Sequence, residues 1–234
     1  MDGNGRWANA RGLHRTQGHA NGEPVLFDVV HGALDLGIEW LTVYTFSTEN
    51  WGRDAFEVDF LMQFNVDLLE RRRDELNELG VRVLFAGDMT DERIPPIVLD
   101  RMRAAEELTA SNTTMTMVFA FNYGGRSEIV DAVRSIAAQA AEGRLDPESV
   151  TASTIAAHLY VPDMPDPDVV IRTSGEQRTS NFLLWEAAYS EYVFTDVLWP
   201  DFGRDELVRC IVEYQDRERR FGGATDESLD GSER

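Results

Sequence analysis

Apolar positions recur along the chain in two alternating rhythms. Val25, Leu26, Val29, Val30, Ala33 and Leu34 fall at helical spacing, and Gly37 supplies the stop. Trp40 to Phe46 is a short, β-rich apolar run, read as a buried strand. Val58, Leu61, Met62, Leu68, Leu69, Leu76 and Leu79 mark a long helix ending at Gly80. Val81, Val83 and Phe85 alternate as a strand, and a helix from Leu99 to Leu108 follows the breaker pair Pro95-Pro96. Met115 to Phe121 reads as a strand. Ile129, Val130, Val133, Ile136 and Ala137 read as a helix, and Thr151 to Leu159 as a short one. Strands are predicted at Val169 to Arg172 and Tyr192 to Leu198, and a last helix at Asp205 to Arg220.

Strands alternating with helices predict an α/β fold. It is a single domain over residues 1–223, with a mostly parallel central sheet and helices on both faces. The segment 224–234 is polar and acidic, a composition that favours a disordered tail. In open parallel sheets ligands bind beyond the carboxyl ends of the strands. The loops Ser47 to Arg53, Asn122 to Arg126 and Thr173 to Ser180 are therefore the places to look for chemistry.

Composition narrows the classes. With 234 residues, 43% of them hydrophobic, the chain can bury one sizeable core. A formal net charge of −20 repels phosphate backbones and argues against a nucleic-acid partner. Cys210 is alone, so no internal disulfide forms, in keeping with a cytoplasmic protein. No apolar run approaches the roughly 18 residues of a membrane span, and no signal peptide is visible.

Against this acidic background, basic and amide groups cluster in a few places. The opening segment holds Asp2, Gly3, Asn4, Gly5, Arg6 and Trp7. Glycines let the backbone approach a ligand, and an arginine adds a charged fork; a surface turn would look the same. An EF-hand calcium loop is excluded, because Arg6 stands where that pattern needs an acid or amide. Arg15 and His19 follow, with Arg11 before them, as an anion site or a solvated helix face. Ser47, Thr48, Glu49, Asn50, Trp51 and Arg53 follow a strand. Hydroxyls, an amide and an arginine suit a diphosphate, whereas a plain capping loop needs neither Trp51 nor Arg53. Arg126 after the Gly124-Gly125 turn is read as structural. Arg172, Arg178, Thr179 and Ser180 make a second clamp or, more blandly, a surface salt-bridge loop. Glu191 lies between aromatics and needs a cationic partner unless it is simply exposed. Dinucleotide, P-loop, nucleophile-elbow and zinc patterns are absent.

The strings MDGNGRWA, GLHRTQGHANG, YTFSTENWGR, FNYGGR, VVIRTSGEQRTSNFLLWEAAYSEYVFTDVLWPDF and ERRFGG, in this order, resemble the cis-prenyltransferases, the undecaprenyl and decaprenyl diphosphate synthase family. The D-D-x-x-D clusters of the trans-acting prenyl synthases are missing. The resemblance implies an isoprenyl transferase that condenses isopentenyl diphosphate with an allylic diphosphate, such as farnesyl or geranyl diphosphate, using Mg²⁺. The product would be a long cis-polyprenyl diphosphate, a carrier-lipid precursor for cell-wall synthesis. Alternatives are a short-chain Z-farnesyl diphosphate synthase, a non-catalytic scaffold subunit of the same fold, and a generic phosphate-binding module.

Roles follow from the resemblance residue by residue. Asp2 holds Mg²⁺ and assists departure of the allylic diphosphate. Gly3 to Arg6, Arg15 and His19 cradle that diphosphate, with Trp7 beside it. Ser47 to Asn50, Trp51 and Arg53 surround the reacting carbons, with Asn50 as proton acceptor, directly or by relaying the proton to a phosphate or water. Arg172, Arg178, Thr179 and Ser180 hold isopentenyl diphosphate, and Glu191 joins the metal region, which Gln177 enters in place of the family's usual histidine. Asp54 stands where many members have proline, with little effect expected. An apolar product tunnel is expected between helices Val25 to Leu36 and Val58 to Leu79 and strand Met115 to Phe121, with Thr45, Met115, Ala120 and Phe121 as length-tuning positions. A homodimer is expected, with Arg220 to Gly222 near the partner's site, in the cytoplasm with peripheral contact at the inner membrane face for product release. The resemblance also implies a Val- and Ile-rich strand just before MDGNGRWA. The chain opens inside that string, so the expectation is an upstream start or a truncated form with weak activity.

Overall fold

The computed structural model describes residues 1–217. The acidic segment 224–234 and the Arg220 to Gly222 contact expected in a dimer lie outside the described residues. The elements run α1 (Asn4–Ala10), α2 (Arg15–Asp35), β1 (Trp40–Ser47), α3 (Ala55–Glu78), β2 (Val81–Ala86), α4 (Pro96–Thr109), β3 (Met115–Tyr123), α5 (Gly125–Ala141), α6 (Ala152–Ala156), β4 (Val169–Arg172), β5 (Glu191–Phe194) and α7 (Gly203–Gln215). Short 3-10 turns cover Thr48–Gly52, Glu186–Tyr189 and Trp199–Asp201.

All strand pairs are parallel, as predicted, but the sheet is in two pieces: β1-β3-β2 and β4-β5. Strand β3 is flanked on both sides and buried on both faces, which is why it reads as a nearly unbroken apolar run. Met117, Phe119 and Phe121 join a core with Leu26, Leu61, Val98 and Leu207 from α2, α3, α4 and α7. Val118, Ala120 and Tyr123 face the other way, onto Leu183 and Ala187. There the first turn of α5 is tied in by Tyr123, whose hydroxyl donates to Glu128.

Two predicted elements change. Helix α2 begins at Arg15, ten residues before the periodicity at Val25 shows it, because Gly18, Gly22 and Pro24 hide the first turns. The glycines serve packing: a Cβ on Gly18 would lie 2.0 Å from the Asn4 carbonyl oxygen, so α1 rests directly on the α2 backbone. Strand β5 ends at Phe194 and not at Leu198. Beyond it Thr195 and Val197 still exchange backbone hydrogen bonds with Arg172, Ser174 and Gly175, but around a turn and outside the ladder.

Among the described residues, β1 pairs only with β3, and β4 only with β5. Every residue from Trp40 to Ser47, and from Val169 to Arg172, lines one cavity. Alternate side chains of a strand point to opposite faces, so an unbroken run means that the open edges of β1 and β4 bound this space. No described strand lies between them.

Candidate active site

The cavity has a volume of about 1470 Å³, above the roughly 300–1,000 Å³ of an ordinary ligand pocket. Leu26 and Val29 of α2 and Leu61, Phe64 and Leu68 of α3 give it an apolar flank, with Val169 to Ile171 and Ile211 on other sides. The expected helices therefore do form walls. Strand β3 does not: Met115, Ala120 and Phe121 are buried in the cores behind β1, and only Phe119 of that strand reaches the cavity. Thr45 does line it, its hydroxyl donating to the Ala120 carbonyl.

One end of the cavity is polar, and two clusters meet there. The first is built around Asp2. Its backbone N–H donates to Thr173 Oγ1 at 2.8 Å, and its carbonyl accepts from Thr173 Oγ1 and from the Trp199 N–H. Thr173 follows β4, so the opening segment is fixed at the carboxyl end of that strand. Gly3, at φ 104°, turns the chain into α1; a Cβ there would meet Leu198 at 2.9 Å. Arg172 Nη2 donates to Asp2 Oδ2 at 3.1 Å, while its Nη1 reaches Ser180 Oγ at 2.7 Å and the Arg178 carbonyl. Burial alone would raise the Asp2 carboxyl. Hydrogen bonds from Arg172 and the Gly3 N–H outweigh it and hold the group below the usual carboxylate range. Arg6 donates to the Ser174 carbonyl and hydroxyl and lies 3.8 Å from Asp2. Arg178 is exposed and paired with Glu176.

The second cluster joins α2 to the entry of α3. Arg15 and His19, one turn apart on α2, face Arg53 and the buried Glu57. Burial first, then the charges of Arg53 and Arg15, depress His19 to about 4 against the pull of Glu57, so the imidazole is neutral near pH 7. Ser47, Glu49 and Asn50 line the cavity between the clusters. Asn50 Oδ1 accepts the Ser47 N–H at 3.1 Å, fixing the amide at the end of β1. Thr179 and Ser180 complete the rim, and Gly3, Asn4 and Gly5 line it from the opening segment.

Four predicted site residues are not brought to the cavity. Trp7 donates its indole N–H to Asp201 and stacks under Arg11. Thr48 packs against Gly124. Trp51 is turned under Arg93, its Nε1 donating to Asn122 Oδ1 at 2.7 Å. Glu191 opens β5 opposite Val169, three residues or about 10 Å from the Arg172 pairing, and its carboxylate is taken by Arg217 at 3.0 Å. Within the described residues Glu191 thus stands apart from the Asp2 cluster.

Mg²⁺ keeps most of its shell as water and phosphate oxygens and needs only one or two protein carboxylates. Asp2 fits that need: it lies on the cavity, is ionised, and is surrounded by groups suited to diphosphate. Among the described residues no group of three or more His, Cys, Asp or Glu could hold a metal without such a ligand.

Three functional residues escaped the sequence reading. Glu57 gathers the second cluster. Asn181 accepts the Gly125 and Arg126 N–H groups and donates to Glu49, pinning the Ser180 rim. Asn122, at φ 47°, anchors Trp51 and donates to the Asp88 carbonyl and Asp91. Asn122 at the carboxyl end of a strand was the available signal.

A prenyltransferase family model, for undecaprenyl diphosphate synthase, matches residues 1–222. The decaprenyl diphosphate synthase of Mycobacterium leprae is 55% identical over 224 residues, covering 96% of this chain and 75% of that protein. A trans,polycis-polyprenyl diphosphate synthase of Thermobifida fusca, specific for (2Z,6E)-farnesyl diphosphate, is also 55% identical, covering 96% and 79%. Among solved structures, lavandulyl diphosphate synthase from Lavandula x intermedia, in complex with dimethylallyl diphosphate, superposes with a TM-score of 0.91 at 37% identity, over 95% of each chain. Fold and sequence thus agree: the chain belongs to the undecaprenyl diphosphate synthase family and is a cis-prenyltransferase.

Proposed function

We propose that the chain condenses isopentenyl diphosphate onto an allylic diphosphate such as farnesyl or geranyl diphosphate, and repeats the step to a long cis-polyprenyl diphosphate. The observation that carries this reading is the pairing of two cationic clusters with one large apolar cavity. Such a site suits two diphosphates at its rim and a hydrocarbon tail inside, at about 0.8 kcal/mol per buried methylene. The long-chain products named for the Mycobacterium and Thermobifida relatives favour a long product here.

In this reading Arg15, Arg53 and His19 hold the allylic diphosphate, and Arg172, Arg178, Thr179 and Ser180 hold isopentenyl diphosphate. Mg²⁺ held by Asp2 would add a further neutralising charge to the leaving group. Departure of diphosphate leaves an allylic cation, or nearly so. Donors fixed in advance stabilise the charge growing on the diphosphate oxygens without reorganising. The isopentenyl double bond attacks the allylic carbon, a carbon–carbon bond forms, and a proton is lost from the isopentenyl C2. Asn50 Oδ1 accepts the Ser47 N–H and keeps a second lone pair, so the fixed carboxamide orients the reacting groups and relays the proton to a diphosphate oxygen or water.

Labelled isopentenyl diphosphate incorporation, with and without Mg²⁺, tests the reaction, and mass spectrometry of the product tests its length. Asp2→Ala should abolish Mg²⁺-dependent transfer. Full transfer rates in that variant would overturn the role given to Asp2, and a fifteen-carbon product would overturn the long-chain assignment.

A further inference from the structure

A single buried oxygen organises the second cluster. Glu57 lies in the first turn of α3, its side chain 8% exposed, and its Oε1 is 2.7 Å from Arg53 Nη1, 3.6 Å from Arg15 Nη2 and 3.7 Å from His19 Nε2. These donors come from two separate pieces of chain, α2 and the turn leading into α3. Without an anion between them, two guanidiniums this close would repel and splay.

We propose that Glu57 is a positioning residue for prenyl transfer, aiming Arg15, Arg53 and His19 together at the polar end of the cavity. This rests on the reading that those three groups receive the allylic diphosphate. Glu57 uses little of their donor capacity. Arg53 commits one of its five N–H groups and keeps the rest for a ligand. The other effect of a carboxylate here, lowering the local positive charge, makes the opposite prediction: removing it would tighten anion binding. Geometry favours positioning, because the bond to Arg53 is short, charge-assisted and made to a carboxylate that is itself buried.

The variants Glu57→Gln and Glu57→Ala, with Arg15→Ala and Arg53→Ala as references, separate these possibilities. Calorimetric binding of inorganic pyrophosphate reads the cluster directly, and steady-state kinetics with farnesyl diphosphate and isopentenyl diphosphate read the reaction. Pyrophosphate should bind about tenfold more weakly to Glu57→Gln, and more weakly still to Glu57→Ala, since the amide oxygen still accepts from Arg53. The fall in kcat should reach roughly 10- to 100-fold and exceed the rise in KM, because pre-aimed donors act mainly in the transition state. An unchanged or tighter pyrophosphate affinity in Glu57→Gln, with kcat within twofold, would show that Glu57 only offsets charge. Glu57→Gln keeps the side-chain shape and carries the test if Glu57→Ala fails to fold. If Arg15→Ala and Arg53→Ala also leave pyrophosphate binding unchanged, the diphosphate cradle itself is misassigned.

Discussion

Arg172 divides one guanidinium among Asp2, Ser180 and the Arg178 carbonyl, and so couples the start of the chain to the rim loop. A lysine carries the same charge but no planar fork. Arg172→Lys should therefore lower kcat/KM by about 100-fold, the scale of losing an oriented donor at an oxyanion, and steady-state kinetics would show it. A second residue-scale effect lies behind the same loop. Glu186 is buried against Glu128, and neither Glu186 oxygen meets a donor in hydrogen-bond geometry. Glu128 accepts from the Tyr123 hydroxyl and the Tyr160 N–H. Burial, then the Glu128 carboxylate, push Glu186 from 4.5 to about 7. An unfolded glutamate loses its proton near pH 4.5, so between there and pH 7 the folded state binds more protons. Stability must fall as pH rises through that window and level off above it. Glu186→Gln should remove this loss. Its advantage over the parent should be larger at pH 8.5 than at pH 5, by up to about 3 kcal/mol. Urea unfolding at the two pH values checks it, and an equal difference at both would refute it.

Elements with strong periodicity were legible before the structure: β1, α3, β2, β3 and β4 fall where alternation and helical spacing put them. Helix α1 was not, because Gly3, Asn4 and Gly5 read as a turn by local propensity, and only packing onto Gly18 and Gly22 makes that segment helical. The same contact gives a test with an inverted sign. Ala at an interior helix position is ordinarily better than Gly by about 1 kcal/mol. At Gly18 its Cβ would press into the Asn4 carbonyl, so Gly18→Ala should lower the melting temperature and displace Asp2, with transfer activity falling further than stability. Candidate-site residues were legible where charged types gathered in loops after strands, as at Arg53 and Arg172. Trp7, Thr48 and Trp51 sat in the same strings yet point elsewhere, since adjacency along a loop does not fix which side faces the ligand. Glu191 lies apart from the rim for a related reason: it belongs to the amino end of β5, whereas Arg172 and Thr173 stand at the carboxyl end of β4.

At the scale of the molecule, a chain of net charge −20 gathers Arg6, Arg15, Arg53, Arg172 and Arg178 on one cavity, so the total charge does not describe the local site. Among the described residues no helix is long and apolar enough to cross a membrane. The cavity's helical flank is itself mixed. Leu26 and Val29 of α2 and Leu61, Phe64 and Leu68 of α3 offer hydrocarbon, while His19 and Glu23 of α2 and Asn65 of α3 put polar groups on the same flank. Each methylene laid against the first set is stabilised by about 0.8 kcal/mol, and none is gained against the second. A lengthening isoprenoid should therefore settle on those five side chains and bend away from the polar three, so that the flank steers the oil as well as holding it.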